Sequence, residues 1–159
     1  MLTRSLSRRY HVPVPPAIAW DYLTDPVVVA AGSNHPVLVA KTTPGFEVGT
    51  RWDEIHDDAC DFDSVPWVVL AAEPERSFTI EGLQSGARQR VTNTLAASDS
   101  GTDVTATIEL RPSVKAHGTL VERAVLFLIC LTGLGMSIVA GEFEESVDAD
   151  REAIERLQP

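Results

Sequence analysis

Glu54 and His56 are the residues whose types and spacing point most directly to chemistry. They stand two apart in Val48–His56, which we predict to be a β-strand, so both side chains should leave the same face. A carboxylate and an imidazole on one face can take and return protons during a reaction. Two interpretations stay open, because Asp57 and Asp58 follow directly: an acid–base pair in a pocket, or a solvated strand end.

Two further polar residues, Gln89 and Asn93, share one face of the predicted strand Ala87–Ala96. Val91 and Leu95 lie on the same face, so it is the face expected to be buried. A buried polar side chain is costly unless it is hydrogen-bonded. Gln89 and Asn93 should therefore bond to each other, to water or to a ligand.

Metal and cofactor motifs are missing from the sequence. The four histidines show no metal-ligand spacing, and no phosphate-binding loop, dinucleotide fingerprint or nucleophile elbow occurs. Four aspartates between residues 57 and 63 lack the glycine and terminal glutamate of a calcium loop. We therefore predict a solvated hairpin tip in the polar run Asp57–Ser64. Cys60 and Cys130 are far apart and are expected to be free thiols. We expect no metal and no cofactor.

Charge and composition exclude several classes of protein. The net charge of −10 and the pI of about 4.7 argue against binding nucleic acid or an anionic membrane, since both need a basic face. A composition of 44% hydrophobic and 23% charged residues is typical of a soluble globular protein. The basic N-terminal residues are not followed by the apolar stretch of a signal peptide, so we predict a cytoplasmic location. The length of 159 residues predicts one domain, 1–159.

The elements that must position these residues follow from hydrophobic periodicity and turn signals. A first strand over residues 4–14 ends in prolines; one short helix then starts at Pro16 and stops near Asp25, and a second covers 26–32. Six more strands are predicted at 37–42, 48–56, 65–72, 76–82, 87–96 and 102–111. Short turns make consecutive strands antiparallel. The predicted fold class is α+β: a seven-stranded curved antiparallel sheet, two short helices after the first strand, and a long C-terminal helix across the sheet.

The C-terminal helix begins with an uncharged run, residues 124–141 (AVLFLICLTGLGMSIVAG), that is apolar almost all round. The run is at the short end of what a bilayer needs, so a helix buried by its own domain is preferred to a membrane span. One sheet cannot bury every face of such a helix. Its outer face has three alternatives: packing on the two short helices, a homodimer contact, or contact with a membrane or lipid carrier. The acidic tail then repeats apolar residues at helical spacing, which should hold it on the sheet: Phe143, Val147, Ile154 and Leu157.

Four segments carry a family resemblance: Val12–Pro26 (VPVPPAIAWDYLTDP), Val48–Arg51 (VGTR), Trp67–Arg76 with its ending EPER, and Gly101–Val104 (GTDV). In this order they resemble the START-like (SRPBCC) superfamily, which has the helix-grip fold of the birch pollen allergen. The subgroup they resemble is that of polyketide cyclases/dehydrases and lipid-transport proteins. The resemblance spans nearly the whole chain and departs at Ala31–Pro36, where the family often has an aromatic residue.

The resemblance implies a cavity between the concave face of the sheet and the long helix. The residues predicted to line it are Trp52, Trp67, Val69, Phe78, Ile80, Gln89, Val91, Asn93, Ala106, Ile108, Leu128 and Met136. The first functional interpretation is binding of a small hydrophobic or amphipathic ligand, either a lipid or a polyketide-like molecule. One alternative is a polyketide cyclase/dehydrase-type enzyme in which Glu54, His56 and Asn93 transfer protons. The other is a non-catalytic protein that binds a partner protein.

Overall fold

One antiparallel sheet forms the framework of the chain. The computed structural model describes residues 3–32, 37–41, 43–58, 61–84, 87–113, 120, 121, 124, 128 and 136–158. The strands are β1 (Arg4–Val12), β2 (Val37–Lys41), β3 (Arg51–Asp58), β4 (Asp61–Glu73), β5 (Ser77–Gln84), β6 (Ala87–Ser98) and β7 (Gly101–Pro112). Their spatial order is β1-β7-β6-β5-β4-β3-β2, so β1 and β2 form the two edges of this seven-stranded sheet. Each strand from β2 to β7 pairs with its sequence neighbour, as short turns require.

Helices α1 (Pro16–Leu23), α2 (Pro26–Gly32) and α3 (Met136–Glu155) accompany the sheet. Pro16 stands in the first turn of α1, where its missing N–H removes no helical hydrogen bond. α1 ends at Thr24, whose hydroxyl donates to the carbonyl oxygen of Trp20 at 2.8 Å. The carboxylate of Asp25 then accepts a hydrogen bond from the backbone N–H of Val27 at 3.0 Å, which caps α2. These local bonds set the boundary between the two short helices.

α3 packs against β1, α1 and α2 through an apolar stripe in the acidic part of the C-terminal helix. Val147 and Ile154 are buried and Phe143 packs beside them, at the helical spacing predicted from the sequence. They meet a buried cluster formed by Tyr10, Val12, Ala19, Tyr22 and Leu23. Leu157, which was predicted to extend the stripe, is 46% exposed because α3 ends at Glu155.

The few described residues of the uncharged run ahead of α3 are helical and exposed. Leu128, predicted to line the cavity, has 56% of its surface exposed, unlike a residue of an enclosed wall. The later part of the C-terminal helix does contact the short helices, since Asp150 meets Tyr22 of α1. Most of the uncharged run lies outside the described residues, so the three alternatives for its outer face remain predictions. None of the helices that the structure describes is long and apolar enough to cross a membrane.

The predicted hairpin between these two strands is present, but its tip was predicted too wide at Asp57–Ser64, because most of this run is strand. β3 continues to Asp58 and β4 begins at Asp61, with Asp57 opposite Phe62. An antiparallel ladder joins main-chain groups, so polar residues can extend it. β3 also starts later than predicted, since residues 48 and 49 form a turn. With these changes, the architecture is the predicted one: a curved seven-stranded antiparallel sheet, two short helices after β1, and a C-terminal helix.

Candidate functional site

The inner face of the sheet, the face that α1 and α3 approach, carries the apolar residues predicted to line a cavity. Trp52, Val69 and Phe78 are among the most buried residues in the described chain. The strand register places Trp52 opposite Trp67 and Val69 opposite Ile80. The alternation of side chains along the strands therefore predicted correctly that these residues share one face of the sheet.

A chain of five aromatic rings crosses this face. Phe46 lies at its centre, with ring centroids 5.2 Å from Phe78, 6.2 Å from Trp20 and 6.2 Å from Trp52. Trp20 also meets Phe78 edge-to-face at 5.8 Å, and Trp52 stacks on Trp67 at 6.3 Å with an angle of 17° between the rings. These separations are those of favourable aromatic pairs. The result is a wide apolar surface made from α1, three strands and one loop.

Phe46 and Trp20 were missed as members of the site by the sequence analysis. Phe46 lies in the loop between β2 and β3, where strand parity says nothing about direction. One feature of the sequence could have indicated its role: Phe46 directly follows the turn Thr43-Pro44-Gly45, and a large aromatic side chain in a loop usually packs against other apolar residues. Trp20 was assigned to a helix, but nothing in its local pattern indicated which strand it would meet.

Glu54 lies on the inner face beside Trp52, and its carboxylate accepts a hydrogen bond from the indole N–H of Trp52 at 3.4 Å. This bond orients the carboxylate along the aromatic surface. The backbone of His56 is in β3, opposite Val37 and Asp63. The side chain of His56 lies outside what the structure describes, so the predicted acid–base pair remains a prediction.

Asn93 is buried at 8% exposure on the inner face, between Phe78 and Ala106 in the register. It lies far from Glu54, because the two residues are three strands apart in the sheet. They also align with different positions of β4: Glu54 is opposite Val65, whereas Asn93 is opposite Phe78, which is opposite Ala72. That offset corresponds to about 20 Å along the strands. The sheet therefore does not bring Asn93 beside Glu54, as a shared proton-transfer site requires.

The other predicted lining residues divide by burial. Trp67 and Ala106 are buried, whereas Ile80, Gln89, Val91 and Ile108 are half-buried. Gln89 is opposite Gly82, which in turn is opposite Trp67, so these three form one row across the sheet. Met136 is the first residue of α3, and its side chain lies outside the described set.

A second polar cluster joins the outer face of β1 to β7. Asp103 lies opposite His11, accepts a hydrogen bond from Arg9 at 2.7 Å and contacts the His11 Nδ1 atom at 3.1 Å. The other ring nitrogen of His11 is 3.2 Å from the hydroxyl of Ser100. Arg9 and His11 hold the pKa of the Asp103 carboxyl below its usual value. The cluster is largely exposed and Asp103 is shared with Arg9, so it serves as a surface ion-pair network between the edge strand β1 and its neighbour β7.

A half-buried aspartate lies at the contact of α3 with α1 and β1. The hydroxyl of Tyr22 donates to Asp150 at 3.4 Å, and burial raises the pKa of the Asp150 carboxyl to about 7. Burial, and then the charge of Asp150, raise the pKa values of Tyr10 and Tyr22 above their usual range. The ionised Asp150 carboxylate is therefore an electrostatic cost to the fold near neutral pH.

No group of three or more His, Cys, Asp or Glu side chains that could hold a metal ion occurs within the described ranges. Cys60 and Cys130, predicted as free thiols, lie outside those ranges.

The fold is the helix-grip fold of START-like proteins, and solved structures share it over almost the whole chain. The Zhui aromatase/cyclase from Streptomyces sp. R1128 matches with a TM-score of 0.71 and 14% identity, over 97% of this chain and 94% of that chain. Ara h 8.0201 matches with a TM-score of 0.68 and 12% identity, over 96% and 95% of the two chains. A protein of unknown function from Staphylococcus aureus matches with a TM-score of 0.71 and 9% identity, over 97% and 94%. The sequence matches no family model and no curated protein.

Proposed function

We propose that this protein binds a small hydrophobic or amphipathic ligand, a lipid or a polyketide-like molecule, between the inner face of the sheet and the C-terminal helix. The observation that carries the proposal is the chain of aromatic rings from Trp20 through Phe46 to Trp67. Small-molecule sites are lined mainly by apolar and aromatic side chains with a few polar groups among them. Asn93 is such a polar group on this surface.

Binding without chemistry is the preferred form of the proposal. Proton transfer at one atom of a ligand needs its acid and base within hydrogen-bond reach of that atom. The offset of about 20 Å between Glu54 and Asn93 along the strands argues against a single site that uses both. Glu54 and Asn93 would instead contact different parts of a ligand.

Turnover of a polyketide is the second candidate, and one contact favours it. The hydrogen bond from Trp52 holds the Glu54 carboxylate on the inner face, two residues from His56, in a fold shared with an aromatase/cyclase. Glu54→Gln and His56→Ala separate the candidates. Lost turnover of a polyketide with binding retained supports the enzyme, whereas unchanged turnover in both variants removes these residues from the chemistry.

The binding proposal is tested by filling the inner face. Val91 is half-buried on that face, and Thr94 lies on the opposite, exposed face of the same strand. Val91→Phe should weaken binding of the apolar dye N-phenyl-1-naphthylamine at least tenfold, and Thr94→Phe should leave it unchanged.

The stability of Val91→Phe provides an independent readout. An added ring in a solidly packed core costs about 1–3 kcal/mol, whereas an open cavity accepts it. Retained stability with lost binding supports the proposal. A destabilised Val91→Phe protein, together with a wild type that does not bind the dye, would count against a ligand cavity. Native mass spectrometry of the purified protein tests for a ligand carried over from the cell.

A further inference from the structure

We propose that the indole N–H of Trp67 is a hydrogen-bond donor to the ligand, and that it selects uncharged ligands bearing an acceptor oxygen, such as a ketone or lactone carbonyl. This inference rests on the proposed binding function and specifies which chemistry the site recognises.

The Trp67 indole nitrogen is a buried donor without a partner. The residue is 8% exposed, and its Nε1 atom has no hydrogen-bond partner within the described structure. Its stacking neighbour differs in this respect, because the Nε1 atom of Trp52 donates to Glu54. Buried polar groups in native proteins are almost always paired with protein, water or ligand. Among the described residues, the Trp67 N–H is thus the buried donor of this surface that is left for a ligand to pair.

The Trp67 ring is held in place on two sides. One face stacks on Trp52 at a centroid distance of 6.3 Å. The six-membered part of the ring lies over Gly82 on β5, where a Cβ atom would come within 2.9 Å of two ring carbons. The glycine allows this close approach, and the stacked pair then restricts rotation of the indole. A fixed donor favours directional recognition, since little side-chain freedom is lost when a bond forms.

The surroundings of Trp67 define the chemistry of the acceptor. Its neighbours in the packed cluster are apolar: Val39, Val65, Val69, Ile80 and Val91. Among the described side chains, the charged group on this part of the inner face is the carboxylate of Glu54, which lies two residues after Trp52 on β3. A second negative charge would be repelled there. An apolar molecule with a neutral carbonyl satisfies the N–H without that repulsion, whereas a carboxylate-bearing ligand does not.

A matched ligand pair tests the inference. 1-Tetralone and tetralin have the same fused rings, and only 1-tetralone carries a carbonyl. Each compound is added to protein with bound N-phenyl-1-naphthylamine, and its affinity is obtained from displacement of the dye. The proteins compared are the wild type, Trp67→Phe and Trp20→Phe. Trp67→Phe keeps an aromatic ring and removes the N–H. We expect it to lower the affinity for 1-tetralone about five- to tenfold more than the affinity for tetralin, because both ligands lose the same ring contact and only 1-tetralone loses a hydrogen bond. Trp20→Phe, the matched control in the same aromatic chain, should leave the ratio of the two affinities as in the wild type.

Indole resonances give a direct readout of the same bond. The protein has three tryptophans, so a ¹H–¹⁵N spectrum contains three indole cross-peaks, and the one lost in Trp67→Phe belongs to Trp67. That proton should move downfield with 1-tetralone and stay in place with tetralin. If both molecules bind and Trp67→Phe weakens them equally or not at all, the inference is overturned while the binding function stands. If neither molecule displaces the dye and the dye itself does not bind, the proposed function fails, and the inference with it.

Discussion

Thr102 and Val14 are joined by a hydrogen bond of 2.7 Å from the threonine hydroxyl to the valine carbonyl oxygen, and both residues are fully buried. The bond ties the β6–β7 hairpin to the chain between β1 and α1. Gly101 next to it has a positive φ of 149°, and a Cβ atom there would collide with the carbonyl oxygen of Val12. The hairpin and the start of α1 therefore form one close contact at the end of the sheet.

Thr102→Val should destabilise the protein by about 1–3 kcal/mol, because the buried Val14 carbonyl oxygen loses its donor while the side-chain shape is kept. Thr102→Ser retains the hydroxyl and is the control, with most of the stability preserved. Urea denaturation measures both. Equal midpoints for Thr102→Val and the wild type would show that the bond contributes nothing net.

Gly82→Ala should destabilise the protein by about 1–3 kcal/mol, since the new methyl group overlaps the Trp67 ring. It should also disturb the Trp52–Trp67 stack, which is visible in near-ultraviolet circular dichroism. Gly141→Ala is the matched control: it lies in α3 with open space around the added Cβ, and should stabilise by about 0.5–1 kcal/mol. A Gly82→Ala protein as stable as the wild type would contradict the tight Trp67 contact.

Asp150→Asn should raise the free energy of unfolding at pH 8 and leave it unchanged at pH 4. The folded-state pKa of about 7 lies above the ordinary value of 3.8, so between these values the unfolded state releases a proton that the folded state keeps. Stability from this group is therefore lost as pH rises from about 4 to 7, and the loss is complete above pH 7. We expect a gain of about 1–4 kcal/mol for the variant at pH 8.

Asp148→Asn is the control for that experiment, because Asp148 is on the same helix but pairs with Arg151 at the surface, 3.6 Å away. Its stability should follow the wild-type pH profile closely. Parallel profiles for Asp150→Asn and the wild type across this pH range would contradict a destabilising Asp150 carboxylate.

Asp103→Asn should lower stability slightly at neutral pH, by less than Thr102→Val does. The pKa of Asp103 is depressed by Arg9 and His11, so its contribution is present above the unfolded value of 3.8 and disappears as pH falls through the lower folded value. The effect should shrink at high salt, because the pair with Arg9 is exposed. Urea midpoints at low and high salt measure it; a large effect that is insensitive to salt would contradict a surface network.

Local patterns in the chain were sufficient for the fold class and for much of the inner face. Alternation along β6 and β7 placed Val91, Asn93 and Ile108 on the buried side, because successive side chains of a strand point to opposite faces. Prolines between Val12 and Pro26 located α1 and α2, since a proline affects the backbone of only a few residues around it. The hairpin tip at residues 57–64 was predicted too wide, because main-chain pairing does not depend on side-chain polarity.

Register and packing were decided only by the tertiary structure. Parity assigns a residue to a face but does not say which residues of other strands lie beside it, because pairing joins segments far apart in the chain. The offset between Glu54 and Asn93, the Trp67 ring over Gly82 and the burial of Asp150 by Tyr22 all follow from such distant pairings. Phe46 joins the aromatic surface for the same reason, since the direction of a loop side chain is set by what it packs against.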